Sequence, residues 1–112
     1  MSSKIFSEVD LYIIFVLAKN KKGACIWHLT DKVWLKDFKE KFPNFKLPCV
    51  RTLRRHLAKL KREGLIQQLS KSNPPFYTFT EAVNVDFLDR KIYIKVYINK
   101  NNAKMAYHIL LP

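Results

Sequence analysis

The sequence predicts an α+β fold, with helices in its first half, a short hairpin after them and a strand-rich tail. Three observations predict it. Apolar residues recur at helical spacing as far as Leu60, two short apolar runs flank the proline-broken "KSNPP", and "KIYIKVYI" alternates strictly. At 112 residues the chain has room for one core, so a single domain over 1–112 is expected. Its 48% apolar residues, with 8 Phe, 5 Tyr and 2 Trp among them, are enough to fill that core. Disorder is not expected.

The first helix opens at "FSEVDL". Ser7 caps it, Asp10 stands three positions on as a short variant of the capping box, and Phe6 staples onto Leu11. It runs to about Lys19, where "NKKG" supplies basic residues and a glycine to end it. Its interior, "LYIIFVLA", is apolar on nearly every side, so the helix is either central or shared with a partner. A short strand near Cys25–Leu29 follows, then a helix to Phe42 in which Leu35, Phe38 and Phe42 share a face. Thr30 or Asp31 caps that helix, or else Val33-Trp34 forms a second short strand before it. Pro43 stops it.

The third helix is the clearest element. Pro48 suits its first turn, and Val50, Leu53, Leu57 and Leu60 lie within about 80° of one another. Gly64 ends it in a left-handed position. Leu65–Leu69 reads as a strand, "KSNPP" as a turn and Phe76–Thr80 as the partner strand. In the tail, Ile92, Ile94, Val96 and Ile98 take one face of a strand, and Tyr93, Lys95 and Tyr97 take the other. "NKNNAK" turns the chain, and "MAYHILL" returns as a second strand or closes as a helix.

Charge is the strongest functional signal. Lysine and arginine number 21 against 9 acidic residues, a formal charge of +12, which attracts polyanions. The charge concentrates on the third helix. Between Pro48 and Gly64 stand six basic residues and one acidic one. Arg51, Arg55, Lys59 and Arg62 project within about 80° of each other, opposite the leucine stripe. Like charges on successive turns repel, and an anion laid along that edge removes the cost. An α-helix also has the width to enter the major groove, where an arginine fork matches the two acceptors on guanine.

The stretch "RTLRRHLAKLKREGLI" resembles the recognition helix and first wing strand of winged helix-turn-helix transcription regulators. Thr52, Leu53, Arg55, Leu57, Leu60 and Gly64-Leu65-Ile66 carry the likeness. It covers residues 6–80 as a winged-helix core and leaves 81–112 as a C-terminal extension and candidate dimerisation element. Two features depart from the pattern: the "PNFKLP" connection is longer than the usual turn, and the strand-rich tail is an addition. Small size, abundant lysine and scarce glycine are similar to regulators of archaea and their viruses. The resemblance implies double-stranded DNA as partner, with Arg51, Thr52 and Arg55 facing base edges. Arg54, Lys59 and Arg62, with Lys71, Ser72 and Asn73 at the wing tip, then meet the backbone. His56, at the rim of the buried side, reads as a packing residue.

Other chemistries find little footing. Cys25, His28, Cys49 and His56 invite a zinc reading. Cys49 and His56, however, lie about 10.5 Å apart along one helix, too far for ligands that sit about 2.0–2.3 Å from zinc. The carboxylates are scattered, and no glycine-rich phosphate loop or nucleophile–base grouping stands out, so no enzyme, cofactor or small-molecule ligand is expected. The longest apolar run, Leu11–Ala18, spans about 12 Å as a helix against a hydrocarbon core of about 30 Å. Glu8 and Asp10 precede that run and "KNKKG" follows it in place of a cleavage site. With only two cysteines, a cytoplasmic protein is expected, in the host cytoplasm if viral. The expected assembly is a homodimer using the first helix and the C-terminal segment. A nonspecific DNA- or RNA-coating protein and a protein-interaction module are the rival readings.

Overall fold

α1 (Glu8–Lys19) is the central element of the computed structural model, which describes residues 6–69, 71–100 and 103–112. Ser7 Oγ accepts from the Asp10 N–H, and Asp10 Oδ2 accepts from the Ser7 N–H, both at 3.1 Å. This reciprocal cap is the one the sequence suggests. Every residue from Tyr12 to Ala18 is at most 3% exposed. An all-round apolar helix is thereby covered within one chain, which removes the reason to assign it to a dimer interface. Tyr12 donates its hydroxyl to the Leu29 carbonyl at 2.7 Å.

The next segment departs from expectation. Cys25–Leu29 is not a strand; Ile26–Leu29 is a short helix, α2. The Cys25 N–H donates to His28 Nδ1 at 3.1 Å, closing a local turn that strand composition does not reveal. Ile26 and Leu29, three apart, then drop into the core while Trp27 points outward. Only Ala24 pairs as a strand residue, in an isolated antiparallel bridge to Tyr77. α3 (Lys32–Phe38) is capped by Asp31, whose Oδ1 accepts from the Val33 N–H at 3.1 Å. It ends four residues before Phe42 because Lys39, Glu40 and Lys41 continue as turns. Phe42 still stacks on Phe38, with ring centroids 4.6 Å apart, and Phe38 meets Tyr12, Phe15 and Phe45 edge-on or tilted.

α4 (Val50–Arg62) starts after Cys49, so Pro48 lies outside it. Leu53, Leu57 and Leu60 are buried against the core, and Gly64 turns the chain with φ +81°. A short antiparallel hairpin follows, β1 (Ile66–Gln68) with β2 (Tyr77–Phe79), in the register Ile66↔Phe79.

The tail is a second antiparallel sheet, β3 (Val83–Leu88), β4 (Lys91–Lys100) and β5 (Ala103–Leu111), in that spatial order. β3 has no counterpart in the sequence reading. β5 settles the strand-or-helix alternative for "MAYHILL": Leu111, Ile109 and Tyr107 pair with Ile92, Ile94 and Val96 on one face. Ile92, Ile94, Val96 and Leu111 join the helical side chains in one cluster, so this apolar face too is covered within the chain. The tip of the predicted "NKNNAK" turn falls outside the described residues. Among the described residues the fold is therefore mixed α+β, with four helices and sheets of two and three strands. None of those helices is long and apolar enough to cross a membrane.

Candidate nucleic-acid interface

Burial of the leucine stripe fixes the rotation of α4, and the same rotation decides which basic residues reach solvent. Arg51, Arg54, Arg55 and Arg62 are exposed. Among the described residues no carboxylate lies within ion-pair reach of any of the four. Thr52 is half-buried in the first turn, its hydroxyl 3.4 Å from Cys49 Sγ. That contact and neighbouring backbone N–H groups hold the exposed Cys49 thiol below its ordinary value of 9.0.

Lys59 is different. Its Nζ donates to Asp10 Oδ2 at 2.7 Å, and His56 Nδ1 lies 2.7 Å from Asp10 Oδ1. Asp10 has no exposed side-chain surface. Burial pushes its carboxyl up, but the bonds from Lys59, His56 and the Ser7 N–H outweigh that and hold it below 3.8. The predicted phosphate-facing lysine thus already has an anion inside the protein. His56, read as a rim packing residue, is the second arm of the same bridge between α4 and α1. Nothing in the spacing of residues 46 and 49 positions apart announces this contact.

The hairpin lies beside the helix. Arg54 and Leu57 share a depression of about 210 Å³ with Ile26, Asn73, Pro74, Pro75 and Tyr77. Arg54 accordingly faces the hairpin loop, while Arg51, Arg55 and Arg62 lie round the helix from it. Lys71, Ser72 and Asn73 are exposed in that loop, which the Leu69 N–H closes by donating to the Phe76 carbonyl at 2.9 Å. Ser72 Oγ donates to the Pro74 carbonyl at 3.0 Å.

The structure therefore brings Arg51, Thr52, Arg54, Arg55 and Arg62 onto one helix, with Lys71, Ser72 and Asn73 on the adjoining loop. It draws Lys59 toward the core. Cys25 and His28 do approach, at 3.4 Å, but through the turn that starts α2, and His56 is engaged by Asp10. Among the described residues no group of three or more His, Cys, Asp or Glu side chains is placed to hold a metal ion. Compared with known proteins, the chain matches no family model, no curated protein and no solved structure.

Proposed function

We propose that this chain is a winged-helix protein that binds duplex DNA sequence-specifically and regulates transcription by occupying a promoter. The order of elements supports the fold: α1, a bridging residue at Ala24, α2 and α3, then α4 and a hairpin whose second strand accepts that bridge. In this reading α4 enters the major groove and the loop between β1 and β2 braces the adjacent backbone.

The observation that carries it is the row of exposed arginines on α4, free of acidic partners among the described residues and turned away from the buried leucines. Guanidinium forks on a groove-sized rod match guanine edges and phosphates alike. Arg51, Thr52 and Arg55 are assigned to base edges. Arg54 and Arg62 on the helix, with Lys71, Ser72 and Asn73 on the loop, are assigned to the backbone. Lys59 moves from the contact set to a positioning role, holding α4 on α1.

Selection of bound duplexes from a random pool tests the reading. Enrichment of one short motif is expected. Retention without a motif assigns the charge to nonspecific coating, and no retention assigns the fold to protein interaction.

A further inference from the structure

The C-terminal sheet has two edges, and they are unequal. On β3 the Val83 N–H is spent on the Thr80 carbonyl, and Lys21 lies over Phe87 with its ammonium 4.7 Å from the ring centroid. Among the described residues, β5 has no such cover along most of its length. Its nine residues follow β4 in unbroken register, without a bulge, and the strand contains no proline. Natural edges are usually shortened, bulged or broken by charge and proline; this one carries only Lys104 and His108 as polar interruptions.

Which backbone groups point off that edge follows from the ladder. The Tyr97 N–H donates to the Ala82 carbonyl at 2.8 Å, so odd-numbered residues of β4 face β3 and even-numbered ones face β5. Ile98, Val96, Ile94 and Ile92 therefore exchange bonds with Met105, Tyr107, Ile109 and Leu111. Lys104, Ala106, His108 and Leu110 then direct their N–H and C=O groups outward. Lys41 Nζ takes the Leu110 carbonyl. Among the described residues, nothing takes the outward groups of Lys104, Ala106 and His108.

We infer that this edge is the docking site for a second copy of the chain, pairing β5 antiparallel with β5 across a two-fold axis at Ala106. That register alone uses all three open residues in both copies: Lys104 opposite His108, Ala106 opposite Ala106, His108 opposite Lys104. Moving the axis toward Met105 carries His108 past the partner strand's first residue, Ala103; moving it toward Tyr107 sends Lys104 onto Leu110, whose carbonyl is taken. The axis at Ala106 also sets Met105, 43% exposed in one chain, against Tyr107 of the second copy on the core-facing side. Thioether and ring are good neighbours. The joint sheet has six strands. Two copies each carrying +12 repel, so pairing strengthens with salt, and at about 0.15 M the repulsion already decays over about 8 Å.

The test needs no DNA, so its outcome is independent of the DNA-binding reading. Sedimentation of the whole chain from micromolar to millimolar concentration is expected to move from 13.3 kDa to about twice that mass. Ala106 is exposed, so charges are accommodated there in the single chain. Ala106→Glu and Ala106→Lys each set like charges against themselves on the axis and are expected to stay monomeric. Mixed together, they are expected to dimerise. In the wild type, the Lys104, Ala106 and His108 amides are expected to become at least tenfold better protected from hydrogen exchange as the dimer forms. A monomer at every concentration with those alternate amides exchanging freely overturns the proposal. So does a dimer indifferent to charge at Ala106.

Discussion

Lys59 Nζ lies 2.7 Å from Asp10 Oδ2, tying the second half of α4 to the first turn of α1. The same carboxylate caps α1 through Ser7, so one buried side chain sets both the start of the central helix and the seating of the arginine-bearing one. Substituting Lys59 therefore tests architecture rather than DNA contact. Lys59→Met is expected to lower stability to urea by about 1–3 kcal/mol, less than a fully buried pair because water reaches the ammonium. It is expected to leave the salt dependence of DNA binding unchanged.

Asp10 also makes stability depend on pH. Its folded carboxyl is held below 3.8, so its contribution is fully present above that value. It is lost as the pH falls through the lower folded value. In urea denaturation, the stability difference between wild type and Asp10→Asn is expected to hold steady near neutrality. Below pH 3.8 it is expected to shrink. A difference unchanged down to the acid limit would mean the carboxylate is not what Asp10 contributes.

Within α4 the arginines divide by role. Arg55→Ala is expected to cost about 1–3 kcal/mol on the preferred site and to relax base choice there. Arg62→Ala is expected to weaken all duplexes about equally and to flatten the log–log salt slope by about 0.9. With Lys59 withdrawn, the three cations assigned to the backbone, Arg54, Arg62 and Lys71, put the expected wild-type slope at about −3 per protomer. Competition binding across a salt series reads all three.

Gly64 separates backbone strain from contact. Its φ is +81°, yet a Cβ built there meets nothing within 4 Å. Gly64→Ala is expected to lower thermal stability by about 1–2 kcal/mol from left-handed strain alone. Gly64→Asn is expected to lose less, and both are expected to bind DNA as before once folded.

The elements legible in the sequence are those with a local cause. The Ser7–Asp10 box, the leucine stripe of α4, its closing glycine and the alternation of β4 each lie within one stretch of chain. β3 escaped although Val83, Val85 and Phe87 alternate with Asn84 and Asp86. Asparagine and aspartate disfavour strands. The β3–β4 turn, moreover, is made by Asp89 and Arg90 at φ 52° and 64° rather than by a glycine that marks such turns. α2 escaped because one turn of helix is stabilised by what Ile26 and Leu29 bury, not by propensity. In the candidate site, helix and charge were readable from spacing. The withdrawal of Lys59 was not, because Asp10 lies 49 residues away.

Sequence-specific recognition by α4 is tested most directly by one ratio. Wild-type affinity is measured for the selected duplex and for a scrambled duplex of the same length and composition, at the same physiological salt. Arg51, Thr52 and Arg55, assigned to base edges, are expected to favour the selected duplex by about 10³ or more. A ratio near one, with both affinities falling alike as salt rises, contradicts base readout and leaves only attraction to phosphate.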